Sequence, residues 1–113
     1  MKVKVMKDHP GKWEFQGVFP NFQKGTPVNI AEKEDEDFLG WYACDIEGHK
    51  PFIPKIYVSG GKLNRDYNPT ELIQKEGDIL EVKEIVYAWL LVTNDKGTTG
   101  WIPTENVVSI EAL

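Results

Sequence analysis

A chain of 113 residues with a formal charge of −5, a single cysteine and a single arginine excludes several classes of function. Nucleic-acid binding needs clustered cations that release phosphate counterions, and the lysines here are scattered; the same balance argues against an anionic membrane surface. One cysteine forms no intramolecular disulfide, no apolar run approaches the ~18 residues that span a bilayer, and no leader-like apolar stretch opens the chain, so a cytoplasmic protein is expected.

Lys2-Val3-Lys4-Val5-Met6-Lys7 alternates polar and apolar residues, the period of a half-buried strand. Asp8-His9-Pro10-Gly11 breaks it, and Lys12 to Phe22 carries Trp13, Phe15, Phe19 and Phe22 without a clean period, as in a long irregular loop. Pro27 to Ile30 reads as a short strand and Glu32 to Asp37 as an acidic loop. Leu39 to Ile46 is a strand, turned by Glu47-Gly48-His49-Lys50 into a return strand at Pro51 to Ile53. A 3₁₀ turn at Pro54 to Tyr57 follows. Ser59-Gly60-Gly61-Lys62 reads as a very short linker. Beyond it, Leu63 to Tyr67, Asp78 to Val82, Ala88 to Thr93, Thr99 to Ile102 and Val107 to Ile110 read as strands, with a second 3₁₀ turn at Pro103 to Asn106. Asn68 to Gly77 reads two ways, as a capped short helix with Pro69 near its start and Gly77 past its end, or as strand and loop.

One phrase occurs twice. Trp41-Tyr42-Ala43, Gly48, Phe52-Ile53-Pro54 and Val58 are answered by Trp89-Leu90-Leu91, Gly97, Trp101-Ile102-Pro103 and Val107. The glycines, prolines and valines are each 49 residues apart and the tryptophans 48, so one residue is gained between tryptophan and turn. A shared phrase at near-constant offset marks two copies of one unit. Units of that size bury only about 60% of their unfolded surface and gain from packing on each other.

The second copy resembles the Src-homology-3 (SH3) domain. Leu63-Asn64-Arg65-Asp66-Tyr67 stands where that family has Ala-Leu-Tyr-Asp-Tyr. Lys75-Glu76-Gly77-Asp78 is similar to its Gly-Asp stretch, and Gly100-Trp101-Ile102-Pro103-Thr104-Glu105-Asn106-Val107 to its Gly-Tyr-Ile-Pro-Ser-Asn-Tyr-Val. Asn21-Phe22-Gln23-Lys24-Gly25-Thr26, Gly40-Trp41-Tyr42 and Phe52-Ile53-Pro54-Lys55-Ile56-Tyr57-Val58 resemble the same anchors in the first copy, which is closer to bacterial variants. The resemblance implies an all-β protein of two closely packed, five-stranded SH3-like barrels in tandem, residues 1–59 and 63–113.

It also implies a non-catalytic module recognising a protein or peptide ligand, an extended Pro-rich or basic segment, through an aromatic groove. Carried over, the groove uses Trp41, Pro54 and Tyr57 in the first copy, with Trp13 as an added wall and Asp35, Glu36 and Asp37 selecting a basic residue. The second copy keeps Tyr67, Trp89 and Pro103, with Arg65 and Asn106 replacing two family tyrosines. Strand alternation sets Trp41 and Trp89 on the face opposite Tyr42 and Leu90. The alternative is a structural or assembly module whose grooves are buried between domains or in a homodimer. His9, His49 and Cys44 lack metal-ligand spacing, and no phosphate loop or nucleophile elbow occurs, so neither enzyme activity nor a cofactor is expected. Cys44 reads as a small buried hydrophobe.

Overall fold

The computed structural model describes residues 1–7 and 18–110. Among them the protein is all-β: β1 (Lys2–Val5), β2 (Asn29–Ile30), β3 (Trp41–Asp45), β4 (Phe52–Pro54), β5 (Val58–Ser59), β6 (Lys62–Leu63), β7 (Ile79–Val86), β8 (Trp89–Thr93), β9 (Thr99–Pro103) and β10 (Val107–Ser109). Single 3₁₀ turns at Lys55–Tyr57 and Thr104–Asn106 follow β4 and β9. Asn68 to Gly77 holds no helix; Leu72 instead donates its N–H to Trp101 O at 2.9 Å, and Trp101 its N–H to Thr70 O at 3.1 Å.

The chain divides into two compact units, Met1–Val18 with Thr70–Leu113, and Phe19–Pro69. The first, the outer unit in chain order, contains one antiparallel five-stranded sheet in the order β10-β1-β7-β8-β9. The second, the inner unit, contains a three-stranded sheet β2-β3-β4 and the pair β5-β6. No sheet among the described residues closes into a barrel. In the outer unit Val3, Val5, Leu72, Leu80, Leu90, Val92 and Ile102 form one buried cluster, and each such side chain contributes about 1.5–3 kcal/mol by leaving water.

These units are not residues 1–59 and 63–113. Chain order would give β1 to the first copy and β6 to the second, whereas the pairing gives each to the other. Ser59-Gly60-Gly61-Lys62 is the reason. It is a hairpin turn, with Ser59 opposite Lys62 and Val58 opposite Leu63. Gly60 and Gly61 have φ of 59° and 75°, and positive φ at both central residues is the two-residue turn that matches strand twist and favours glycine. A turn that short fixes β6 beside β5. Tyr67 stays in the inner unit too, exchanging backbone hydrogen bonds of 2.8 Å with Phe22. With β6 held there, β1 fills the corresponding position in the outer unit, between β10 and β7.

The equivalence of the two positions extends to single hydrogen bonds. Leu63 N–H donates to Thr26 O and Gly25 N–H to Leu63 O, at 2.9 and 2.8 Å; Val5 N–H donates to Asp78 O and Gly77 N–H to Val5 O, at 2.8 and 2.7 Å. Tyr57 O accepts from Asn64 and Asn106 O accepts from Met6, at 2.9 and 2.7 Å. Lys55 donates to Gly40 O and Thr104 to Ala88 O, at 2.8 and 2.9 Å. Trp41 lies opposite Pro54 and Trp89 opposite Pro103. The residue that shifts the sequence offset lies in the hairpins: Ile46 and His49 bridge across Glu47 and Gly48, whereas Asn94 bonds Thr98 across Asp95, Lys96 and Gly97.

Candidate functional site

Of the residues expected to line a groove, the inner unit contains Trp41, Pro54, Tyr57 and Tyr67. Tyr67 arrives because β6 belongs there, so a tyrosine expected in the second copy lies in the unit of Trp41, Pro54 and Tyr57. Its ring meets Tyr57 edge-on at 5.5 Å between centroids, and its hydroxyl donates to Phe52 O at 2.6 Å. Arg65 travels with it and sets its guanidinium carbon 4.4 Å from the Tyr57 ring centre, a cation–π contact. The outer unit contains Trp89 and Pro103 as cross-strand partners. Trp13 lies outside the described residues.

These aromatic side chains are not open to solvent: Trp41 is 2% exposed, Tyr57 3%, Tyr67 3% and Trp89 0%. Pro54 and Pro103 are buried as well. Trp89 alternates with Leu90, which belongs to the outer unit's core cluster, so it does face away from that cluster as strand alternation requires. Facing away from one core has not left it exposed.

The acidic loop between β2 and β3 is organised by its own carboxylates. Asp35 Oδ2 accepts the N–H groups of Asp37 and Phe38, both at 3.0 Å, and Glu34 Oε2 accepts that of Gly40 at 2.8 Å. Buried Phe38 anchors the loop, while Leu39 is 69% exposed. Asp35 is therefore half-buried and partly committed to the loop, whereas Glu32, Glu34, Glu36 and Asp37 are exposed.

Cys44 is buried, and its thiol donates to Pro51 O at 3.4 Å. Burial, with the adjacent Asp45 charge, pushes its pKa up to about 12, which suits a packing residue rather than a nucleophile. His49 stands edge-on to Phe22 and Phe19, at 5.6 and 6.1 Å. Among the described residues no group of three or more His, Cys, Asp or Glu is arranged to hold a metal ion. No helix among them is long and apolar enough to cross a membrane.

Sequence reasoning did not anticipate a cleft of about 400 Å³ in the outer unit, bordered by Gln74, Asp78, Ile79, Asn94 and Lys96. Two of its polar side chains bond to nearby backbone. Asp78 Oδ2 accepts from Lys75 N–H at 3.0 Å, and Asn94 Oδ1 from Lys96 and Thr98 N–H at 3.0 and 2.9 Å. These bonds hold the two turns that border the cleft. Arg65 over Tyr57 was also missed, and its signal was the Gly-Gly dipeptide that keeps β6 and its neighbours in the inner unit. Comparison of the chain with protein-family models, curated proteins and solved structures gave no match.

Proposed function

We propose that this chain is a non-catalytic structural or assembly module of SH3-like ancestry, in which the positions that resemble a peptide groove serve the fold itself. The observation that carries this reading is the burial of Trp41, Tyr57, Tyr67 and Trp89, each at 3% exposure or less. A groove for polyproline segments works by offering preformed aromatic ridges to the ligand. Ridges without accessible surface offer no such contact, and here one of them already carries the chain's own Arg65.

A second reading, recognition of an extended Pro-rich or basic segment by the inner unit, is favoured by one observation: Glu36 and Asp37 are exposed beside a largely exposed Leu39. Exposed ion pairs of that kind contribute only about 0–1 kcal/mol each, so the aromatic surface would have to open for useful affinity.

Solution NMR on the full chain separates the two. With a soluble paramagnetic probe, the indole N–H signals of Trp41 and Trp89 should remain sharp, and millimolar Pro-rich or Lys/Arg-containing peptides should leave Trp41, Tyr57 and the acidic loop unshifted. Broadened indoles together with peptide-dependent shifts at those residues would replace the assembly reading with the recognition reading.

A further inference from the structure

We propose that this chain pairs with a second copy of itself by trading strand β1, each copy's β1 lying between β10 and β7 of the other. The proposal deepens the assembly reading by naming the partner and the segment that joins it.

The two strands that occupy equivalent positions are tethered very differently. β6 is held by the two-residue turn at Gly60 and Gly61 and cannot leave its unit. β1 is joined to β7 only through the whole of the inner unit, Phe19–Pro69, and no tight turn links it to either neighbour. Its place cannot stay empty. Val3 and Val5 belong to the buried cluster, and β1 pairs on both sides, with Val107 to Ser109 and with Ile79 to Glu81. An empty place would leave a hole in the core and two unpaired strand edges, the features that drive strands to pair with another chain.

A β1 from a second copy satisfies every one of these contacts, because the pairing residues are the same. Exchange of an identical element is a low-cost route to a dimer, and a C2 arrangement closes it. Within one chain the equivalent strands are already crossed between repeats, so traded strands are an arrangement this fold accommodates. The charge pattern suits the exchange as well: Lys4 stands outward between Val108 and Ile79, and Lys2 lies opposite Glu81, so the incoming strand carries no like-charge clash.

The test uses two full-length copies, one carrying Lys4→Cys and the other Val108→Cys. These positions are exposed Cα partners across β1 and β10, and directly opposed antiparallel residues, about 4.5–5.5 Å apart at Cα, fall within the about 4.4–6.8 Å that a disulfide spans. Refolding is carried out under reductant and oxidation follows only once the fold has formed, when native Cys44 is buried and does not compete. The copies are unfolded and refolded together in a series reaching about 1 mM, the scale of effective concentration against which a tethered strand competes. The expected result is a disulfide-linked heterodimer whose yield rises with refolding concentration, and a parallel rise in dimer mass by light scattering for the unsubstituted chain. Monomer alone at every concentration, or a dimer without a disulfide between the two substituted positions, overturns the proposal. Monomer with shielded indoles would leave the assembly reading standing, whereas exposed indoles would remove that reading itself.

Discussion

The inner and outer units share a scaffold down to individual backbone hydrogen bonds, yet they differ at three places that decide what each can display. Between the second and third strands the inner unit has the acidic loop, anchored by Phe38 and capped by Glu34 and Asp35, where the outer unit has only the tight turn Tyr87–Ala88. At the end of the 3₁₀ turn the inner unit has Tyr57 and the outer unit Asn106, both buried. The opening strand is hairpin-bound in one and drawn from the distant N-terminal segment in the other. Repetition of a scaffold therefore does not carry a site with it, because the scaffold lies in backbone pairing and the site in loops and side chains that pairing leaves free to vary.

The sharpest way to break this comparison is to weaken the two opening strands in turn. Leu63→Ala removes a buried side chain and should cost about 2–5 kcal/mol, with lost amide protection concentrated in Phe19–Pro69. Val5→Ala should cost somewhat less, about 1–3 kcal/mol, with protection lost instead around β7 and β10. The reverse assignment of protection would mean that the strands are not crossed.

A smaller effect separates the return strands. A methyl group at Gly100 would stand 2.9 Å from the backbone nitrogen of Leu72, whereas the corresponding position in the inner unit is Pro51. Gly100→Ala should therefore destabilise by about 1–3 kcal/mol in a denaturant titration. Next comes the turn before Trp89. Tyr87 holds a φ of 55°, which L residues with large side chains adopt at a cost, so Tyr87→Gly should raise stability by about 0.5–1 kcal/mol.

The smallest expected effect concerns the inner unit's hairpin. The hydrogen bond from Lys50, and then that from the Gly48 N–H, hold the Asp45 carboxyl below its ordinary value of 3.8. A depressed carboxylate pKa stabilises the fold at pH above the ordinary value, and that contribution fades as pH falls through the lowered one. Lys50→Gln should move the Asp45 titration, followed by NMR, back toward 3.8, while the outer hairpin, which lacks this pair, is unaffected.

Much of the scaffold was legible in the sequence because period-2 alternation, turn glycines and the two Ile-Pro phrases are local signals. Trp41 and Trp89, Pro54 and Pro103, and both 3₁₀ turns fall where those signals put them. The partner of each opening strand was harder to read, since Lys2 to Val5 fits equally well beside β2 or β7 by pattern alone. Gly60-Gly61 carried the answer, but its reading as a linker competes with its reading as a turn. The exposure of the positions expected to line a groove was the least legible. Alternation assigns Trp89 to a face and cannot say what covers that face; and Tyr67, read with the second copy, lies beside Tyr57 in the inner unit.

The most direct test of the crossed strands is a set of cross-strand nuclear Overhauser contacts in the dilute, full-length protein. The structure predicts contacts from Lys4 to Val108 and from Val3 to Leu80, together with contacts from Leu63 to Val58. Contacts from Val5 to Val58 and from Leu63 to Val107 would place each opening strand with the copy it precedes, and would contradict the account.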